Sequence, residues 1–88
     1  FFYDEESLID ESQWIIQVAA FEKVEESLKI ARTLEEAGYN SYIIKRQISE
    51  TNIYRVRISD SGNDKEIKDS MAKLIDMGFE PSIIRDRK

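Results

Sequence analysis

Apolar and polar positions along this chain follow the same order twice, about forty residues apart. The matching positions are Trp14, Ile16, Val18, Leu34, Gly38, Tyr39, Ile43 and Ile44 in the first half and Tyr54, Val56, Ile58, Leu74, Gly78, Phe79, Ile83 and Ile84 in the second. A constant offset over this length indicates one supersecondary unit used twice. Each unit has an apolar face that it cannot bury alone, so the two units are predicted to pack into one domain.

Four stretches have the pattern of β-strands. Two of them alternate apolar and polar residues with a period of two, and the other two follow the repeated glycines. The predicted strands are residues 13–20, 39–47, 52–59 and 79–86. A short polar segment joins the second strand to the third as a hairpin.

Two stretches between the strands have the spacing of amphipathic helices. Their apolar faces are Val24, Leu28, Ala31 and Leu34 in the first helix and Ile67, Met71 and Leu74 in the second. Asn63 is a good N-cap for the second helix, and Glu66 follows it in a near match to the capping box. Gly38 and Gly78 end the two helices, because glycine readily adopts the left-handed conformation that a C-terminal cap needs.

The element order βαββαβ predicts an α+β fold of the ferredoxin-like type. The connection rules give a four-stranded antiparallel sheet in the spatial order 4-1-3-2, with both helices packed on one face. The other face of the sheet is then open.

The first twelve residues have no sustained apolar period and are rich in acidic side chains. They are predicted to be an acidic linker or flank, followed by a domain over residues 13–88. The sequence leaves open whether Leu8 and Ile9 dock on the edge of that domain.

Composition narrows the possible chemistry. Eighteen acidic and thirteen basic residues give a net charge of −5, which argues against a general affinity for nucleic acid or for an anionic membrane. The absence of Cys and His removes the usual ligands of structural zinc and the commonest partners in nucleophilic triads. No metal or cofactor is expected. No apolar run approaches the length of a transmembrane helix, so a membrane would be reached only through a segment outside this chain.

The strand alternation also predicts what the open face carries. The strongly apolar parity should face the helices, which leaves Gln13, Ile15, Gln17, Tyr42, Ile44, Arg46, Ile53, Arg55 and Arg57 on the other side. The two central strands put no Asp or Glu there, so the carboxylate pair of a glycosidase is missing from them. Amides, guanidiniums and an exposed apolar patch fit the binding of a polar, partly anionic polymer. An ordinary solvated sheet face is the alternative interpretation.

Several segments, in order and at matching spacing, resemble the SPOR domain, the sporulation-related repeat. They are Ile16 to Phe21, Leu34 with Gly38 and Tyr39, Tyr54 to Ile58, and Leu74 with Gly78 and Phe79. The resemblance covers residues 13 to about 86. It implies a bacterial cell-envelope module that binds peptidoglycan glycan strands stripped of their stem peptides and is drawn to sites of division and wall remodelling. It also implies the exported C-terminal part of a larger protein, in the periplasm or at the cell surface.

The resemblance carries specific positions onto the open face. The strand-one glutamine corresponds to Gln17 and the strand-three arginine to Arg55, while the apolar strand-four position falls on Ile83, with Ile84 as the alternative. Ala20 and Ile53 stand where the family often has a serine and an aromatic, and Tyr42 is the available substitute for stacking on a sugar. The candidate glycan-binding residues are therefore Gln17, Ala20, Tyr42, Ile53, Arg55, Arg57 and Ile83. No catalytic residue is predicted.

Three other functions were compared with glycan binding. An RNA-binding domain of this topology needs aromatics on the central strands, where this chain has Gln17, Arg55 and Arg57. An acylphosphatase-like enzyme needs an anion-cradling loop after the first strand, and residues 19–22 do not form a glycine-rich one. A protein-interaction module that uses the same open face is the more serious alternative, and the sequence leaves it open. A monomeric domain is expected.

Overall fold

A computed structural model of the chain describes residues 2–3 and 14–85, with side chains described for residues 14–84. The elements in chain order are β1 (Phe2–Tyr3), β2 (Trp14–Phe21), α1 (Val24–Glu36), β3 (Asn40–Ile48), β4 (Thr51–Asp60), α2 (Asp64–Asp76) and β5 (Ser82–Arg85). The two repeated units are therefore β2–α1–β3 and β4–α2–β5.

All five strands lie in one sheet, in the order β1-β3-β4-β2-β5. Strands β3, β4, β2 and β5 are antiparallel neighbours, which confirms the predicted α+β fold and its strand order. The added strand, β1, pairs in parallel with the outer edge of β3, with Phe2 opposite Ile43 and Tyr3 opposite Ile44. The sequence did not predict β1, because two residues are too few to show a period. The linker assignment of residues 1–12 stays a prediction, since residues 4–13, with Leu8 and Ile9, lie outside the described part.

The hydrophobic core lies between the sheet and the two helices. Its buried members are Ile16, Val18, Ala31, Leu34, Ile43, Val56, Ile58, Ile67 and Leu74. Trp14, Tyr39 and Tyr54 pack around this core, on the helix side that the alternation predicts. Ser41, a polar residue on the same side, donates its hydroxyl hydrogen bond to the Ala31 carbonyl of α1 at 2.8 Å. This bond satisfies the buried hydroxyl and ties β3 to the helix layer.

Both helices end in the same way, as the repeat predicts. Gly38 and Gly78 each have φ of +96°, and the aromatic residue that follows donates its N–H to a leucine carbonyl five positions earlier. The two bonds are Tyr39 to Leu34 at 3.0 Å and Phe79 to Leu74 at 3.1 Å. This glycine cap turns each chain back toward the sheet. In the second unit the chain reaches the sheet only at residue 82, so residues 79–81 are not strand as predicted.

The start of α2 is fixed to the sheet by side-chain bonds. Asn63 accepts the Glu66 N–H at 2.9 Å, as the predicted cap requires. The Asp60 carboxylate accepts the Gly62 N–H at 2.8 Å. The Gly62 carbonyl in turn accepts the Trp14 indole N–H at 3.2 Å. The loop between β4 and α2 is therefore hydrogen-bonded both to the last residue of β4 and to the first residue of β2.

Candidate functional site

The face of the sheet away from the helices is set out in rows, because paired residues on neighbouring strands share a face. One row runs Tyr42, Arg57, Gln17, Ser82 across β3, β4, β2 and β5. The next row runs Ile44, Arg55, Ala20 across β3, β4 and β2. Five of the predicted site residues therefore lie in two adjacent rows.

A β-bulge in β2 brings two of these residues together. Gln17 pairs with Arg57 and Ala20 pairs with Arg55, with the register shift between Gln17 and Ala19. Without the extra residue, positions 17 and 20 would face opposite sides of the sheet. Strict alternation along the sequence does not reveal this bulge.

The polar centre of the face is an amide beside a guanidinium. Arg57 donates from Nε to Gln17 Oε1 at 3.4 Å, and both residues are half-buried. Arg55 stands two residues away on the same strand, also half-buried, which places its Cα about 6.7 Å from that of Arg57. A guanidinium can hold a carboxylate through two charge-assisted hydrogen bonds, and the Gln17 amide nitrogen can donate to a carbonyl. The face thus offers donors for acidic and acetamido groups.

The described strands place no Asp or Glu side chain on this face. Asp60, the acidic residue of β4, pairs with Trp14 on the helix side. Among the described residues no three His, Cys, Asp or Glu side chains are grouped so that they could hold a metal ion. The polar side chains Gln17, Arg55 and Arg57 of this face can therefore donate hydrogen bonds to an anionic ligand.

The apolar residues of the face are buried, which corrects the predicted exposed patch. Ile15, Tyr42 and Ile44 are 8%, 7% and 0% exposed and form a cluster apart from the main core. We refer to these three residues as the buried patch. Tyr42 therefore does not present a ring on which a sugar could stack, contrary to the sequence-based expectation. Ile53, near the start of β4, is half-buried.

Strand β5 corrects a second expectation. Ile83 pairs with Ile16, a member of the main core, so Ile83 lies on the helix side and not with the other site residues. A register shift in β5 leaves Ile84 at an irregular position between Ile83 and Arg85, the residue that pairs with Ile15. The residue of β5 beside Gln17 is instead Ser82, which the sequence analysis missed because it took the strand-four position from the apolar position of the family resemblance.

A shallow groove of about 390 Å³ extends the face beyond β2. It exists because the register pairs β5 with only the first half of β2, up to Gln17, and leaves the later residues of β2 without a strand on that side. Its lining includes Gln17, Ala20, Phe79, Glu80 and Ser82. Gln17 belongs both to the polar centre and to the groove, so an extended ligand has room to continue past the sheet edge.

No helix in the described part of the chain is both long and apolar enough to span a membrane.

A ferredoxin-like sheet with donors on its helix-free side defines a small α+β binding domain. The family model of the SPOR domain matches residues 10–85, and the chain belongs to this family. SPOR domains are peptidoglycan-binding modules found in bacterial envelope proteins. Comparison with curated protein sequences gave no match.

Among solved structures, the chain is similar to the SPOR domain of RlpA from Pseudomonas aeruginosa. The crystal structure superposes with a TM-score of 0.75 over 83% of this chain and 99% of that one, at 17% sequence identity. At this level of identity the likeness establishes the fold.

Proposed function

We propose that this domain binds peptidoglycan glycan strands stripped of their stem peptides, on the helix-free face of the sheet, without cleaving them. In this proposal the domain directs a larger exported envelope protein to sites of division and wall remodelling. The observation that carries it is the row geometry, in which the β2 bulge sets Gln17 against Arg57 and Ala20 against Arg55.

The chemistry of a stripped strand suits these groups. Removal of the stem peptide leaves a lactyl carboxylate beside the N-acetyl groups of the sugars. Each guanidinium can take a carboxylate in bidentate geometry, and the Gln17 amide can donate to an acetamido oxygen. Ala20 has only a methyl side chain and is exposed beside Arg55, which gives a sugar room to approach.

The competing functions have less support. A protein-interaction face was predicted from exposed Ile15, Ile44 and Ile53, of which the first two are buried and Ile53 is half-buried. An RNA-binding face needs aromatics for stacking, and the central positions are Gln17, Arg55 and Arg57. The glycan proposal depends on the polar residues, which are the accessible part of the face.

The double substitution Gln17→Ala with Arg55→Ala tests the site. We expect the variant no longer to be pulled down by sacculi whose stem peptides have been removed. The substitution removes the amide that would donate to an acetamido group and one of the two guanidiniums that would hold a carboxylate. Since neither side chain belongs to the core, we expect the free energy of unfolding to change by no more than about 1 kcal/mol. Incubation of the native chain with sacculi should release no soluble fragments.

The matched control is Arg32→Ala, which removes an exposed arginine from α1, on the opposite side of the domain. It should bind stripped sacculi as the native chain does. A folded double variant that still binds would move the site elsewhere. Equal binding to stripped and intact sacculi would remove the preference for denuded strands.

A further inference from the structure

The groove beside the second half of β2 has the size of a small ligand site. Its volume of about 390 Å³ falls in the range of roughly 300–1,000 Å³ that is typical of such sites. Ala19 and Ala20 line its β2 side, and their short methyl side chains let a ligand come close to the strand. The proposed glycan contacts lie on the sheet face, and they leave Phe79 and Glu80 of the groove unused.

The groove carries the opposite charge to the sheet face. Among the described residues of its lining, the one charged side chain is Glu80, which is exposed. The sheet face carries Arg55 and Arg57, whose guanidiniums attract carboxylates. Arg57 and Ser82 stand in one row, two strand spacings or about 10 Å apart. A ligand that extends from the face into the groove is therefore best matched by an acidic group at the face and a basic group in the groove.

An aromatic ring lines the groove beside this carboxylate. Phe79 directly precedes Glu80 in the chain, is half-buried and packs against the main core, which holds it in place. A ring and a carboxylate both stabilise an ammonium group, the ring through its π face and the carboxylate through its charge. An anionic ligand gains nothing from the ring and is repelled by the carboxylate.

The first repeated unit shows an aromatic residue at this position in contact with an ammonium group. Tyr39 follows the first cap glycine as Phe79 follows the second. The Lys73 ammonium lies 5.4 Å from the centre of the Tyr39 ring. It also donates to the Ala37 carbonyl at 3.4 Å. In the first unit, therefore, the chain itself supplies the cation from α2.

The second unit lacks the equivalent lysine and has an added carboxylate. The residue forty positions before Lys73 is Thr33, which has no ammonium and donates its hydroxyl hydrogen bond within α1. The residue forty positions before Glu80 is the neutral Asn40. The repeat therefore supplies no cation to Phe79 from the described helix α1, while the groove beside this ring gains a negative charge.

We propose that the groove binds the ammonium group of a free amino sugar, with Glu80 as its charge partner and Phe79 as its aromatic contact. The ligand is a glycan strand in which the sugar that enters the groove has lost its acetyl group, while the carboxylate of another sugar lies at Arg57. A sugar amine is assigned because the strand proposed for the face has no stem peptides. The identity of the polymer rests on the proposed function, whereas the preference for an ammonium group rests on the groove alone.

Binding to the groove is tested without cell wall, by NMR titration of the full chain with two tetrasaccharides of N-acetylglucosamine. One is fully acetylated and the other has a single free amine. We expect the free amine to lower the dissociation constant by about three- to tenfold, because an exposed ion pair and a cation–π contact are gained. The largest changes in amide signals should fall at residues 18–20 and 78–82. Equal dissociation constants, or changes confined to other residues, would overturn the proposal.

Two variants and a matched control separate the groove from general attraction to an acidic chain. Glu80→Gln keeps the size of the side chain and should abolish the preference for the free amine. Glu35→Gln removes the same charge from an exposed position on α1 and should keep the preference. Phe79→Leu keeps an apolar side chain against the core and should reduce the preference by about twofold. An equal loss in Glu80→Gln and Glu35→Gln would overturn the site, and a folded Phe79→Leu variant with the native preference would contradict the aromatic contact.

Stripped sacculi, before and after partial removal of their acetyl groups, test the polymer. We expect the native chain to bind the second preparation about three- to tenfold more tightly, and Glu80→Gln to bind both alike. If the tetrasaccharide with the free amine binds the groove while neither preparation is bound, the proposed function fails and the ammonium site stands. If the native chain binds both preparations equally and Glu80→Gln has no effect, the ammonium site fails and the proposed function stands. A contribution of Glu80 only with intact sacculi, whose free amines lie on stem peptides, would overturn the sugar as the source of the amine.

Discussion

Residues on the two sides of the sheet have different roles in this domain. On the helix side, apolar side chains fill a core that fixes the fold. On the other side, Gln17 and Arg57 form a contact of 3.4 Å that no core packing requires. A side chain that stabilises the fold and one that binds a ligand can therefore be replaced separately, and the two kinds of substitution should have different effects.

Trp14 offers the clearest test of a residue that acts only in the fold. It packs against the main core and donates its indole N–H to the Gly62 carbonyl at 3.2 Å. We expect Trp14→Ala to cost about 3 kcal/mol of unfolding free energy through lost burial. Trp14→Phe should cost about 1–2 kcal/mol, because the ring is kept while the hydrogen bond is lost. Urea denaturation measures both.

The fluorescence of Trp14 is the accompanying control. Because its ring lies on the helix side, binding of stripped glycan to the native chain should leave the emission maximum unchanged. A clear shift would mean that the ligand reaches the helix side or rearranges the loop before α2, and the assignment of Trp14 as purely structural would be wrong.

At the scale of elements, the sequence predicted regular structure well and irregular structure poorly. The strands and helices could be predicted because period-two and helical spacing each recur twice, forty residues apart. The side of Ile83 could not, since a register shift in β5 changes the alternation without any mark in the residue pattern. The burial of Tyr42 could not either, because alternation assigns a face to a residue and says nothing of what covers that face.

The two helix caps give a test at the element scale. Gly38 and Gly78 share φ of +96°, and a Cβ added at either would meet no atom within 4 Å. The cost of Gly→Ala at each site is therefore conformational and not steric. We expect each substitution to cost about 1–2 kcal/mol, with similar values because the two caps repeat the same bonds.

Gly→Asn at the same positions is the matched control, and it should cost less because asparagine tolerates the left-handed region. Thermal or urea denaturation of the four variants measures the series. A cost confined to one glycine would mean that the two units differ in how their helix ends contribute to stability.

At the scale of the whole molecule, charge is distributed unevenly. The net charge of −5 comes entirely from residues 1–13, and the remaining chain is balanced. Residues 14–88 together carry no net charge and so have little long-range attraction for a polyanion, and the proposed binding therefore depends on local contacts at the helix-free face. The cell wall presents the same unit many times, and several modest contacts along one strand can add up to useful binding.

Salt dependence distinguishes this kind of binding from the tracking of a polyanion. We expect the apparent affinity for stripped sacculi to fall by about tenfold or less between 50 mM and 500 mM NaCl, because two guanidiniums contribute screened charge contacts while the Gln17 amide contributes a neutral one. A protein that contacts six to ten phosphates loses about 10³–10⁵ in affinity over a smaller range. Gln17→Ala should lower the affinity at every salt concentration and leave the slope nearly unchanged, because it removes a neutral contact, whereas Arg55→Ala should flatten the slope by removing a charged one. If high salt abolishes binding by the native chain, or if Arg55→Ala leaves the slope unchanged, then the division of the face into charged and neutral contacts is wrong.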